Sequence, residues 1–451
     1  MHTYDAALDR VAEKLVAYAT ERIRMDPPLD GFRSPEALMA DVGETVTAQG
    51  LGGDEALRIF TDILAPATIS QDSPRNLSFV PSGPTPAAVL FDLVVSASCV
   101  CPESWQEGSG VIFAENQALR WLADLAGMPA SAGGVFVSGG SAGNLSGLVA
   151  ARETAMRART KAGLARPDRW ILVTSYEAHS SVKLAARVMD VDVVTVPGDE
   201  RGRLTGAALR TLFADRVPDG AFAISATAGT TNVGVVDDLA GVAAVCSDHG
   251  IWMHVDAAYG GAALAAPSAR RLFAGIEHAD SLVIDPHKWL FSPYDCAALL
   301  YRNPDQAKAA HTQKADYLDV LQANDDWNPS DFAFHLTRRA RGLPFWFSLA
   351  THGTQAYSQA VETTLATAHR AAELVDAHPD LELCMTPELS VVMFRRIGWQ
   401  LPEYERWSTN VLARNIGYVV PTVHLGEPAL RFCIVNPNTT VAHIRAILAT
   451  L

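Results

Sequence analysis

Trp252-Met253-His254-Val255-Asp256-Ala257-Ala258-Tyr259 and Ser281-Leu282-Val283-Ile284-Asp285-Pro286-His287-Lys288-Trp289 are two short apolar runs, each giving way to polar residues. Runs of this length and character read as strands buried on both faces, as in parallel sheets. Similar runs flank them: Val135-Phe136-Val137, residues 170–173 and 191–196, Phe222-Ala223-Ile224, and residues 297–300. Helical stretches separate several of these, at 143–160, 181–189, 207–213 and 238–249. The alternation predicts an α/β fold, a mainly parallel sheet with helices on both faces. Ligands on such a sheet sit at the carboxyl ends of the strands.

Ahead of this unit, Ala7, Val11, Leu15 and Tyr18 fall near one side of a helix at 5–20, and Leu57, Phe60 and Leu64 mark another at 54–65. Both precede Pro81-Ser82-Gly83-Pro84-Thr85-Pro86. They fit a helical arm or cap, with a helical hairpin on the same subunit as the alternative. Beyond about residue 375 the rhythm changes. Strand-like runs at 391–394 and 431–435 flank a helical stretch at 402–416, predicting a small α+β unit. The expected division is an N-terminal arm at 1–75, a large domain at 76–370 and a small C-terminal domain at 371–451.

The 451 residues are 49% apolar, ample for a large core, and carry a formal net charge of −14. No dense Lys/Arg block stands out, so a nucleic-acid surface is disfavoured. The first residues mix acids with apolar side chains and do not read as a secretion signal. No stretch is apolar enough to span a bilayer, so the expected location is cytoplasmic. Of the six cysteines only Cys99 and Cys101 are close in sequence, too sparse a pattern for structural zinc.

Three segments carry chemistry. Lys288 follows an apolar run and is bracketed by Pro286, His287 and Trp289; a lysine amine so held can form a Schiff base once neutral. An isolated lysine is more often solvated surface. Asp256 ends a strand-like run, where an aspartate commonly caps a helix but also suits the pyridine nitrogen of a bound cofactor. Ser138-Gly139-Gly140-Ser141-Ala142-Gly143-Asn144 opens a helix with small residues that let backbone N–H groups approach a phosphate. His179 could stack on a cofactor ring or simply cap a helix, and Thr230 and Thr231 could offer hydroxyls or serve a turn.

Read in order, SGGSAGN, EAHSS, TAGTTN, HVDAAY and DPHKWL resemble the group II pyridoxal 5′-phosphate (PLP)-dependent amino-acid decarboxylases. That family includes the aromatic-amino-acid, histidine, glutamate and diaminobutyrate enzymes. The resemblance is close over roughly residues 70–350 and looser elsewhere. It implies the aspartate-aminotransferase architecture, PLP fold type I, with an arm that embraces a second subunit and sites at a homodimer interface. It implies that Lys288 carries PLP covalently, Asp256 pairs with the ring nitrogen and His179 stacks on the ring. Gly140 and Ser141 match the phosphate cradle with Asn144 nearby. Thr231 and Ala258 match positions beside the cofactor, and Ser281 and His287 match neighbours of its phosphate or of the substrate. Tyr317 matches a loop tyrosine that delivers a proton to the substrate carbon, and so favours loss of carbon dioxide from an L-amino acid over aldehyde formation. Aldehyde synthesis, transamination and a non-catalytic dimeric binding protein are the alternatives. Phe79, Val80, Glu103 and His179 match substrate-pocket positions. Glu103 stands where the aromatic-acid enzymes carry phenylalanine and would favour a cationic side chain. Arg338, Arg339 and Arg341 would bind carboxylate, support a dimer or lie on a solvated helix face.

Overall fold

The computed structural model describes residue 4, residues 6–316 and residues 326–451. Its large sheet has seven strands: β1 (Gly133–Val137), β2 (Ile171–Ser175), β3 (Asp192–Val196), β4 (Ala221–Thr227), β5 (Trp252–Asp256), β6 (Ser281–Ile284) and β7 (Ala297–Tyr301). Their spatial order is β1-β7-β6-β5-β4-β2-β3. All neighbouring pairs run parallel except those of β7, which is antiparallel to both β1 and β6. All seven expected strands are present.

Alternate residues of each strand enter different cores. Val135, Val137 and Val283 pack toward Leu148, Ala151 and Val182 of the helices Gly140–Lys161 and Ser180–Met189. Phe136, Leu282 and Ile284 pack toward Leu119, Leu122, Val242 and Val361 of the helices Trp105–Leu125, Leu239–His249 and Thr354–Asp376. Burial of both faces explains why the strands are unbroken apolar runs rather than alternating ones. The parallel strands β4, β5 and β6 therefore bring their carboxyl ends to one edge, where the loops meet.

A second sheet, in the order β10-β11-β9-β8, is antiparallel throughout: β8 (Leu381–Leu383), β9 (Val391–Arg396), β10 (Pro421–His424) and β11 (Glu427–Cys433). Helix Leu401–Ala413 separates β9 from β10. Strands β8 and β10 were not expected; they are short and only partly buried, so they lack the apolar run that marks a buried strand. Helix Thr354–Asp376 serves both units: Val361 and Leu365 join the large core, whereas Ala368, Ala372 and Val375 join the small one. The boundary expected at 370/371 falls inside it.

The arm helix Ala6–Arg24 meets helix Gly53–Ile59 through Val11 and through an edge contact of Tyr18 with Phe60. The second helix does not run to 65 as an α-helix. It passes into a π turn at Phe60–Leu64 and a 3-10 turn at Ala65–Ala67, where Pro66 has no N–H to continue the ladder.

Arg338, Arg339 and Arg341 are engaged with acids. Arg338 is fully buried against Glu115 at 2.8 Å and donates to Pro102 O, while Arg339 pairs with Asp92 and Arg341 with Asp295. Glu115 also accepts from Gly342 N. Arg338→Met would strand the Glu115 carboxylate in the interior, and such losses cost about 3–5 kcal/mol. Urea unfolding is expected to show a drop of that size; a change below about 1 kcal/mol would contradict a structural role for the pair. Among the described residues, no helix is long and apolar enough to cross a membrane.

Candidate active site

The cleft lies at the carboxyl edge of β1, β4, β5 and β6. It encloses about 290 Å³ and is lined by Ser138 to Ser141, Asn144, His179, Ser181, Thr227, Gly229, Thr231, Asp256, Ala258, Tyr259, Asp285, His287 and Lys288.

The segment after β1 turns directly into helix Gly140–Lys161, whose first N–H groups lack intrahelical partners. The helix begins at Gly140 rather than at the expected 143, because the glycine-rich turn is itself its first turn. A Cβ on Gly140 would sit 3.0 Å from Asp285 Oδ2 and 3.1 Å from the Ala258 methyl, so only glycine leaves the cradle open. On the loop after β4, Gly229 has a φ of +106°, and a Cβ there would fall 2.9 Å from the Gly260 backbone, so the position demands glycine. That close approach carries Thr231 to the rim. Thr230 is turned inward and its hydroxyl accepts from Val235 N, which is the turn role.

Lys288 sits on the single helical turn Pro286–Trp289 after β6. Trp289 anchors the turn: it is buried, stacks on Tyr259 at 5.2 Å and donates from Nε1 to Thr364 Oγ1. The Lys288 amine lies 3.0 Å from Asp285 Oδ2, which also accepts from Gly140 N. Asp285 is buried and its Oδ1 has no partner. His287 is buried beside the Cys296 backbone, and desolvation lowers its pKa against the opposing pull of Asp285.

Asp256 ends β5. Its Oδ1 accepts from Ala258 N at 3.1 Å and its Oδ2 from Asn144 Nδ2 at 2.8 Å. Asn144 is thus turned to Asp256 rather than to the glycine-rich cradle. His179 caps helix Ser180–Met189 through Nδ1, which accepts from Ser181 N, and it also lines the cleft.

Under Asp256, His254 is fully buried, and desolvation lowers its pKa to about 4 although Asp256 opposes the shift. The folded protein then binds fewer protons than the unfolded chain between that value and about 6.5. This contribution to stability is complete above pH 6.5 and is lost as pH falls, at about 1.4 kcal/mol per pH unit. His254→Gln should remove that component, so its stability difference from the parent should shrink on acidification. Parallel urea titrations at pH 7 and pH 5 check this; a pH-independent difference would contradict it.

The expected residues divide clearly. Lys288, Asp256, His179, Gly140, Ser141, Asn144, Thr231, Ala258 and His287 line one cleft. Ser281 does not: it opens β6 at the opposite end of the strand and is buried against His254 and Trp252. Val80 is packed in the large core. Phe79 is 42% exposed with its edge toward Tyr418, and Glu103 lies beside Cys101, so neither lines the cleft within one subunit. Tyr317 lies outside the described residues.

Four residues beside these were not singled out for a role. His254 is two residues from Asp256, a spacing that puts both on one face of a strand and is the signal that points to it. Ser181 is two residues from His179, and Asp285 is three before Lys288, one helical turn away. Arg431, which bonds Thr231 O and Ser78 O, carries no sequence signal.

The donor set fits PLP: open N–H groups and a glycine cradle for a phosphate, an amine for the aldehyde, and a buried-edge carboxylate for the ring nitrogen. Comparison with known proteins agrees. Residues 35–397 match the pyridoxal-dependent decarboxylase conserved domain. An aromatic-L-amino-acid decarboxylase of Bacillus atrophaeus is 29% identical over 93% of this chain and 89% of its own length. An L-2,4-diaminobutyrate decarboxylase of Rhizobium meliloti is 32% identical over 80% of this chain and 74% of its own. A crystal structure of Oryza sativa TDC with PLP and tryptamine superposes with a TM-score of 0.88 at 25% identity, covering 99% of both chains.

Proposed function

The chain belongs to the pyridoxal-dependent decarboxylase family, and on that premise we propose that Lys288 carries the cofactor covalently and that the cleft around it is the catalytic centre. The protein is an enzyme of PLP fold type I that converts an amino acid to its amine and carbon dioxide. We take the substrate to be an L-amino acid.

The observation that carries the assignment is convergence. The Lys288 amine, the Asp256 carboxylate and the glycine-rich turn at Gly140 and Ser141 face one cavity from three separate segments. Bound PLP supplies a conjugated ring that draws electrons from the bond to the departing carboxylate. Asp256 keeps the ring nitrogen protonated, and Asn144 keeps Asp256 in place. Gly140 and Ser141 hold the phosphate. His179 covers one ring face, with Ala258, Thr231 and His287 completing the enclosure. Asp285 accepts from the Lys288 amine when that amine is free and charged. Tyr317 returns a proton to the substrate carbon.

The same reading has the enzyme as a homodimer with its sites near the interface. Helix Pro86–Ala97 supports this, presenting exposed Leu90, Leu93 and Val94, an apolar patch of the kind that marks association. A cytoplasmic setting fits the six free cysteines.

PLP-loaded enzyme incubated in air with aromatic, basic, acidic and diamino L-acids should yield, for at least one class, an amine lighter than its substrate by carbon dioxide alone. An aldehyde, a keto acid or no turnover across the panel would overturn the reaction.

A further inference from the structure

One continuous hydrogen-bonded chain runs under the cleft floor. Trp252, His254 and Asp256 alternate along β5 and share the face toward helix Gly140–Lys161. Ser281 is the register partner of His254 on β6. Trp252 Nε1 donates to Ser281 Oγ at 2.8 Å, and that oxygen lies 2.7 Å from His254 Nδ1. His254 Nε2 is 3.0 Å from Asn144 Oδ1. Asn144 Nδ2 donates both to Asp256 Oδ2 at 2.8 Å and to Ser181 Oγ at 2.9 Å. Ser181 Oγ ends the chain 2.7 Å from His179 Nδ1. Every member except His179 is buried.

The direction of each bond follows from the fixed members. An indole N–H only donates, so Ser281 Oγ accepts from Trp252 and keeps both a lone pair and its own proton for His254 Nδ1. An ionised carboxylate only accepts, so Asn144 turns its amide nitrogen to Asp256 and its oxygen to His254 Nε2, which must then carry a proton. Ser181 accepts from the same amide and gives its hydroxyl proton to His179 Nδ1. The Ser181 backbone N–H, which can only donate, reaches that nitrogen too, at 3.2 Å. The Asp256 carboxylate sets the polarity of the amide, so His254 carries its proton on Nε2 and accepts from Ser281 at Nδ1, and the Ser181 backbone N–H leaves His179 Nδ1 as an acceptor.

We infer that Trp252, Ser281, His254, Asn144 and Ser181 form a positioning relay that fixes His179 as its Nε2–H tautomer through the same amide that steadies Asp256. The inference rests on the assignment of Asp256 and His179 to the cofactor site. Its effect is to turn an N–H, not a lone pair, away from Ser181 on the ring edge opposite Nδ1.

The test is ¹⁵N NMR of histidine-labelled, PLP-loaded enzyme, with the His179 signals identified by their loss in His179→Gln. The parent should show Nδ1 unprotonated and Nε2 protonated. A protonated Nδ1 in the parent overturns the relay. Asn144→Asp presents a carboxylate that cannot donate to Ser181, so the Ser181 hydroxyl should turn to it. His179 should then become a mixture of tautomers, with kcat down about tenfold, the equivalent of one hydrogen bond, and little change in KM. A folded Asn144→Asp enzyme with an unchanged tautomer overturns the relay. If that variant does not fold, Ser181→Ala should give the same mixture and Ser181→Thr should restore the parent spectrum; a parent-like spectrum in Ser181→Ala overturns it. The tautomer is read without turnover. Absent carbon dioxide release with the stated tautomer therefore removes the functional reading and leaves the relay standing.

Discussion

Lys288→Ala is expected to abolish measurable decarboxylation, lowering kcat by roughly 10³–10⁴-fold or more, the scale associated with loss of a positioned reacting group. Among the described residues this amine is the only one lining the cleft, and Trp289 holds its turn in place through stacking and through Thr364. Removing it also strips Asp285 of the cation at 3.0 Å, leaving a buried carboxylate beside Gly140 N and His287. Two effects would then be mixed, and Lys288→Arg separates them. It keeps a cation beside Asp285 but cannot form the same covalent bond, so activity should vanish while stability stays near that of the parent. Borohydride reduction followed by peptide mass analysis should place the cofactor on the Lys288 peptide in the parent and on no peptide in either variant. A labelled peptide elsewhere, or activity within tenfold of the parent, would sink the assignment.

Asp256→Asn is expected to lower kcat by about 10²–10³-fold, the loss seen when one preorganised electrostatic group is removed from a site (about 3–4 kcal/mol). The change is nearly isosteric, and the amide oxygen can still accept from Ala258 N or from Asn144. What it cannot do is hold a proton on the ring nitrogen by its charge. The loss should therefore fall on kcat rather than on KM, and the cofactor should still be retained. Asp256→Glu keeps the charge but moves it by one methylene, so it should lie between parent and amide. Steady-state kinetics at saturating cofactor decide this; a kcat within threefold of the parent in Asp256→Asn would mean that this carboxylate is not the ring-nitrogen partner.

What the sequence made legible was what lies buried on both faces. Val283, Ile284 and Val255 could be read as strand because each sits in a core, and the strand ends then placed Asp256 and Lys288 at one edge. Strands β8 and β10 escaped because half-exposed strands lose that mark. Helices Trp105–Leu125 and Thr354–Asp376 escaped because much of their buried face is alanine, a weak signal beside the apolar runs of the strands. Ser281 was drawn toward the cofactor by resemblance, yet it begins its strand, and only the carboxyl end reaches the cleft. Phe79, Val80 and Glu103 match pocket positions by resemblance, yet none of them lines the cleft around Lys288. Arg431 was invisible because its contacts, Thr231 O and Ser78 O, are to distant backbone, which no side-chain pattern encodes.

The reversed strand β7 bears on how the chain reaches this state. Within the sheet β1 pairs with β7 alone, Gly133 opposite Tyr301. During synthesis β1 therefore stays an open edge until β7 has left the ribosome, and the glycine-rich turn after β1 cannot meet Asp285 before then. Contacts of such sequence separation close slowly, and an unpaired apolar strand is a template for aggregation. Chains ending before residue 301 leave both β1 and β6 without their β7 partner and should accumulate as insoluble material, whereas chains that include β7 join β1 to the sheet, so the point at which synthesis is interrupted would decide solubility.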